Sequence, residues 1–419
     1  MNFILILTAL LAISTLFSFV NARWIRLPGV IGVMVLAIIS AIVTVAAGSA
    51  MPGFTRLILG LANSIDFSKT LLDVMLGFLL FASALHFDVN KLRDNLRGVL
   101  IISTIGVILS TVIFAGLLYE LLLVCGINMP FIYCLVFGAL ISPTDAVAVA
   151  ALLTKSKMPD RLKTIISGES LFNDGIGIVL FVSFSEVASI PEKNFSLMEA
   201  AKLFGQEVFG GLLLGGLLGF VAYRMMRVIS DFQTIVMISV TLVLSIAAIS
   251  GLLHVSAPLA VVAAGLLIGS HCFNRHESIE HSDELEKVWS LADELLNTVL
   301  FVLIGLQLVS MIIKPDYLLI GAAAVVILLA ARALSIILPI AFLRRSLNMH
   351  YNSVAILTWG GLRGGISVAL ALSLPESPYK SLILTAGFVI VVFSIICQGL
   401  TLNKFINILA SKRKPLVTE

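Results

Sequence analysis

Thirteen apolar runs, each about the length needed to cross the hydrocarbon core of a bilayer, take up most of this 419-residue chain. They lie near 3–21, 28–48, 68–87, 98–123, 130–153, 165–189, 204–223, 233–252, 256–273, 293–313, 317–343, 353–374 and 382–403. In hydrocarbon every backbone N–H and C=O must find its partner inside the protein, and an α-helix does this within one segment. Gly and Pro inside such runs are tolerated in membrane helices. Only 12% of residues are charged, against about 25% in soluble domains. The expected fold class is therefore an all-α polytopic membrane protein of about thirteen transmembrane helices. Residues 1–407 form one transmembrane domain, and 408–419 a short cytoplasmic tail. The run at 3–21 has no Lys or Arg before it and no clear A-x-A site after it, so it reads as the first span rather than a signal peptide.

Basic residues outside the runs orient the chain. Nineteen of the 27 Lys and Arg fall in loops that follow odd-numbered spans or in the tail, and six in loops that follow even-numbered spans. The positive-inside rule places the first set in the cytoplasm, with the N-terminus outside and the C-terminus inside. The longest loop, about 274–292, is short and polar, so no attached soluble domain is expected. A net charge of +3 with no basic stripe argues against a nucleic-acid partner. Cys125, Cys134, Cys272 and Cys397 have neither metal-ligand spacing nor a disulfide rhythm, and the six histidines form no HxxH or HExxH pattern. With no Walker loop and no dinucleotide fingerprint, no ATP and no bound cofactor are expected.

The two remaining basic residues, Arg332 and Arg363, lie within spans, as do Asp145, Glu169 and Asp174 at membrane depth, while Asp73 and Glu186 lie nearer span ends and read as interfacial. Ionised groups at this depth are costly and usually serve transport. Three acids and two arginines leave one negative charge in excess, a suitable balance for one exchangeable cation. On a helix, Ser170, Asn173, Asp174 and Gly177 share one narrow polar face, and their hydroxyl, amide and carboxylate oxygens are hard ligands suited to a hard ion. The alternative is interhelix hydrogen bonding that packs the bundle. Two spans read as interrupted: the fifth at Ser142-Pro143-Thr144-Asp145, the twelfth at Gly360-Gly361-Leu362-Arg363-Gly364-Gly365. Seven spans apart, they point to an inverted repeat with two interrupted crossing helices and a site between the breaks. Asp145 is then placed to face helix N-terminal ends, and Arg363 helix C-terminal ends. Gly211, Gly215 and Gly219 form a small-residue face on the seventh span, a signature of close helix packing.

Pro143-Thr144-Asp145, Gly168-Glu169-Ser170-Leu171-Phe172-Asn173-Asp174 and Gly360-Gly361-Leu362-Arg363-Gly364, with a weaker echo at Leu80-Phe81-Ala82-Ser83-Ala84-Leu85-His86, resemble the sodium/proton exchanger branch of the cation:proton antiporter superfamily, the NhaP-like bacterial members especially. The resemblance implies a secondary antiporter of the cell (inner) membrane that exchanges Na⁺ or Li⁺ for H⁺. It implies that Asp174 binds cation or proton, with Asn173 beside it. Ser170, Thr144 and Asp145 would help form the Na⁺ site, with Asp174, Ser170 and Thr144 as metal ligands. It pairs Glu169 with Arg332, and implies a homodimer built from a dimerisation domain and a mobile core domain. One departure is Ala82, where many relatives carry glutamate. K⁺/H⁺ exchange is a close variant. An intramembrane aspartyl protease using Asp145 and Asp174 is a distant one, because its characteristic tyrosine-aspartate and Gly-x-Gly-Asp pair is missing.

Overall fold

The computed structural model describes residues 3–47, 52–145, 149, 158–189, 197–272, 281–311, 314–342 and 351–411, and among these the fold is entirely helical. In chain order the helices are α1 (Phe3–Val20), α2 (Gly29–Ala46), α3 (Pro52–Asn63), α4 (Phe67–Leu85), α5 (Val89–Val124), α6 (Phe131–Ile141) and α7 (Asp160–Ser189). They continue with α8 (Leu197–Met226), α9 (Phe232–Leu253), α10 (Ala257–Cys272), α11 (Ser282–Ser310), α12 (Pro315–Phe342), α13 (Tyr351–Trp359), α14 (Gly365–Ser373) and α15 (Lys380–Leu409). Each of the thirteen apolar runs contains helix. Among the described residues, nine helices are long and apolar enough to cross a membrane unaided, and three shorter apolar ones stand beside them. The last part of the fifth run, the basic residues Lys155, Lys157, Lys193, Arg275, Arg344 and Arg345, and the tail from 412 onward lie outside the described residues.

Lipid tails are as apolar as leucine, so burial alone does not bring membrane helices together, and close contact relies on small residues. The glycine face of α8 shows how. A Cβ on Gly211 would come within 2.6 Å of the Ser256 carbonyl oxygen, one on Gly219 within 2.9 Å of Ala264 Cα, and one on Gly215 would collide with the Ala260 carbonyl. The α8 backbone therefore lies directly on α10. Gly265 and Gly269 bring the other side of α10 against Ala84 and Leu85 of α4, and Gly305 brings α11 against Ala37 of α2.

Two helical stretches differ from the sequence expectation. Pro52–Asn63 is a twelve-residue helix in what reads as a loop. It is too short to span and carries Arg56, yet Leu61 and Ala62 bury against the bundle, where Gln307 Nε2 donates to the Ala62 carbonyl at 3.5 Å. The second is the start of α11. Residues 282–292 read as polar loop but continue the tenth span as helix, because Leu285 and Trp289, four residues apart, bury their side chains beneath charged neighbours. The Trp289 indole stacks on Phe78, lies 4.6 Å from the Phe81 ring centre and donates to Ser239 Oγ at 3.1 Å. This lengthens α11 towards its N-terminal end and fixes it against α4.

Gly215→Val should push α8 off α10, at a cost of about 1–3 kcal/mol typical of overpacking. Gly216→Ala, where a Cβ meets nothing within 4 Å, is the control. Thermal unfolding in detergent should show a lowered midpoint for the first and no loss for the second.

Candidate ion-binding site

Two helix breaks meet in the middle of the bundle. The chain leaves α6 at Ile141, where the Ser142 N–H caps the helix on the Gly138 carbonyl at 2.9 Å, and runs through Pro143-Thr144 outside regular helix to Asp145, while residues 360–364 separate α13 from α14. Pro143 cannot donate a backbone hydrogen bond, and its ring packs on Gly177 of α7, where any Cβ would overlap it. The breaks expose backbone groups that hydrocarbon cannot satisfy. They satisfy one another instead: the Asp145 N–H donates to the Leu362 carbonyl at 2.8 Å. Arg363, 1% exposed, donates from Nη1 to the Ser142 carbonyl and, at 2.6 Å, to the Pro143 carbonyl. Its guanidinium thus sits at the C-terminal end of α6, where carbonyl dipoles favour a cation. The Arg363 N–H donates to Ser394 Oγ at 2.8 Å, at the start of a π-helical turn (Ser394–Gly399) within α15. Asp145 lies against Gly364, the residue preceding α14; a Cβ there would collide with its carboxylate. The carboxylate is thereby brought to the N-terminal end of α14.

Beside this crossing lies a cavity of about 30 Å³. A water needs about 10–15 Å³ on the same measure, so the space suits one ion with at most a companion water. Asp174, 3% exposed, and Asp145 both line it, together with Pro143, Gly364 and Gly365 at the breaks. Leu76, Leu79, Leu80 and Leu300 make much of its wall. Two carboxylates lining a small, largely apolar space attract a small cation or a proton strongly.

Behind Asp174 the other buried polar groups form a connected chain. Arg332 and Glu169, 2% and 1% exposed in their side chains, make an ion pair in which Arg332 Nη2 reaches both Glu169 oxygens, at 2.6 and 2.7 Å. Asn173 Nδ2 donates to Thr144 Oγ1 at 2.7 Å and, more weakly, to Glu169 Oε1 at 3.4 Å. Since Thr144 Oγ1 accepts from Asn173, its own proton is available to Ser170 Oγ, 2.8 Å away. The sequence-identified residues therefore separate into two groups. Asp174 and Asp145 face the cavity. Thr144, Ser170 and Asn173 are fully buried and bonded to one another, linking the ion pair to the break.

The cavity also has polar lining that sequence reasoning missed: Ser83 of α4, Asn297 of α11 and Ser367 of α14. Ser83 falls within the weak motif at 80–86, and Ser367 two residues after Gly365, so proximity to known motifs was the available signal. Asn297 had only the Asp293–Asn297 spacing of four to mark it. Ala82, the position that departs from many relatives, is fully buried and does not line the cavity; the neighbouring Ser83 does.

The sequence profile described as "Sodium/hydrogen exchanger, transmembrane" matches residues 6–407. The Na(+)/H(+) antiporter NhaP of Pseudomonas aeruginosa is 40% identical over 411 residues, covering 96% of each chain. The Na(+)/H(+) antiporter NhaH of Halobacillus dabanensis is 30% identical over 349 residues, 81% of this chain and 83% of that one. Among solved structures, the sodium proton antiporter MjNhaP1 of Methanocaldococcus jannaschii, determined at pH 8, superposes with a TM-score of 0.74 over 98% of this chain and 99% of its own, at 16% identity, a likeness of fold. The family is one of transporters, which leaves the protease alternative without support. Profile, relatives and helix architecture agree over nearly the whole length: the chain belongs to the sodium/hydrogen exchanger family.

Proposed function

We propose that this protein is a secondary antiporter that exchanges Na⁺ for H⁺ across the cell (inner) membrane, with both ions competing for Asp174. The observation that carries this reading is the placement of Asp174: nearly fully buried, facing a small cavity of ion size, beside a second carboxylate at the meeting of two helix breaks. A carboxylate in such a place holds a cation or a proton, but not both well. The relatives named as Na⁺/H⁺ antiporters favour Na⁺ over K⁺ as the cargo. Li⁺, a similarly hard ion, is expected to substitute. Thr144 and Ser170 become hydroxyl ligands when the cation binds, exchanging their mutual hydrogen bond for the ion, and Asn173 keeps Thr144 in place. The working assembly is a homodimer in which a core containing α6, α7, α13 and α14 moves against a dimerisation domain. The N-terminus lies outside and the C-terminus in the cytoplasm.

Charge balance makes the exchange electroneutral. Arg332 offsets Glu169, and Asp145 stays as a fixed counter-charge at the N-terminal end of α14, so Asp174 is the carboxylate that changes load. The Na⁺-loaded and H⁺-loaded cores carry equal charge, and a membrane potential does no net work on a one-for-one cycle. In proteoliposomes, an imposed K⁺/valinomycin potential should leave the exchange equilibrium unmoved; a voltage-dependent shift would implicate Asp145 as a second proton carrier.

Dissipation of a pH gradient, measured with Na⁺, Li⁺ and K⁺ in turn, tests the function directly. Na⁺ and Li⁺ should support it, and the apparent KM for Na⁺ should rise as pH falls, because protonated Asp174 cannot take the cation. Asp174→Asn should abolish exchange in a protein that still folds, and substantial residual exchange in that variant would remove Asp174 from its assigned role. The Glu169–Arg332 pair has a structural part. Removing either partner leaves a buried charge uncompensated, at a cost of about 3–5 kcal/mol. Glu169→Ala and Arg332→Ala should each lower the unfolding temperature, and the double variant should lose less than their sum.

A further inference from the structure

Exchange at Asp174 leaves the most deeply buried of the additional polar side chains of the cavity without a task. Asn297, on α11, is 1% exposed and lines the same cavity as Asp145 and Asp174. Its amide nitrogen donates to the Asp293 carbonyl oxygen at 2.8 Å and to Asp293 Oδ1 at 3.0 Å. Both partners are acceptors, which fixes the amide: its two N–H donors are spent on Asp293, and the opposite orientation would set oxygen against two oxygens. The carbonyl oxygen is then the polar group that Asn297 brings to the cavity.

That arrangement is unfavourable without a cation. An amide oxygen is held in a largely apolar space that the Asp174 carboxylate also lines, acceptor beside acceptor, where polar groups lacking a partner cost free energy. A proton on Asp174 satisfies one oxygen. A metal cation in the cavity interacts with the carboxylates and the amide oxygen together. Asn297 therefore favours the cation-loaded state over the proton-loaded one. We propose that Asn297 is a cation ligand that sets Na⁺ against H⁺ at the Asp174 site, with Asp293 as the positioning residue that aims its amide. This rests on the antiport reading above and adds to it a ligand from α11, a helix outside the two breaks. A ligand supplied from across the cavity also makes cation affinity depend on how α7 and the breaks sit against α11.

The test uses full-length protein in proteoliposomes and, separately, in detergent. Asn297→Leu, close to isosteric, removes the oxygen without leaving a hole; Asn297→Ala is a second route to the same loss should the first not fold. Each should raise the apparent KM for Na⁺ by roughly tenfold, the scale of one lost charge–dipole interaction, with the maximal rate largely kept. The ratio of KM values for Na⁺, Li⁺ and K⁺ should change, while the pH dependence at saturating Na⁺ stays. Asp293→Ala should give a smaller rise in KM, and Asp293→Asn, which keeps an acceptor for the amide, almost none. Thermal stabilisation by NaCl against choline chloride, read without turnover, should weaken in both Asn297 variants. Folded Asn297 variants with unchanged KM, ion ratio and sodium stabilisation would overturn the proposal while leaving antiport intact. Absence of cation-dependent proton movement in the unsubstituted protein would instead defeat the antiport reading, and the detergent measurement would still decide whether Asn297 binds the cation.

Discussion

The structure turns on what a broken helix demands in hydrocarbon. Stopping α6 at Ile141 leaves carbonyls with no helical partner, in a medium where each such group costs several kcal/mol. Arg363 answers that demand by donating to the Ser142 and Pro143 carbonyls from the opposite break. The same step places a permanent positive charge at the centre of the bundle. Asp145, held against Gly364, supplies a negative one at the end of α14. Each break therefore completes the other, and the charges a transport site needs are present because the backbone must be satisfied there.

On that frame the buried ionisable groups divide by how tightly they are compensated. Glu169 is clamped at both oxygens by Arg332 and touched by Asn173, so changing its charge would leave the arginine unpaired. Asp174, one turn along α7, faces the cavity instead. The four-residue step between Asn173 and Glu169 keeps both on one flank of α7, and the next residue after Asn173 turns towards the cavity. One helix thus carries a paired carboxylate and one that faces the cavity, and in the proposed exchange the pairing would let the other change its load without disturbing the bundle.

Much of this was legible in the sequence. Apolar runs gave the helices, because in a membrane length and composition leave the backbone little choice. Pro143 and the four glycines around Arg363 marked the breaks through backbone chemistry that is local to each residue. The spacing of Glu169, Ser170, Asn173 and Asp174 placed them along one helix. What escaped was set by distant contacts. The first turns of α11 look polar, and their helical state depends on Trp289 meeting Phe78 and Phe81, more than 200 residues earlier. Ser83, Asn297 and Ser367 come from three separate helices, and no periodicity within one helix says which others it approaches. The separation of Thr144 and Ser170 from the cavity wall was hidden likewise, since it follows from a hydrogen bond between them across 26 residues.

A cavity this small also constrains how a cation enters it. An ion cannot bring its hydration shell into about 30 Å³, so protein oxygens must replace most of the water it sheds. The polar residues that line the cavity stand on different elements: Asp174 on α7, Asp145 on the first break, Ser367 on α14, Ser83 on α4 and Asn297 on α11. No single helix carries more than one of them, so a cation that drew on several would need these elements assembled around it. A proton needs one oxygen and is indifferent to the rest. Cation binding is therefore tied to the relative positions of the helices in a way that proton binding is not. In the exchange proposed above, that difference would let Asp174 carry two unlike ions through one movement.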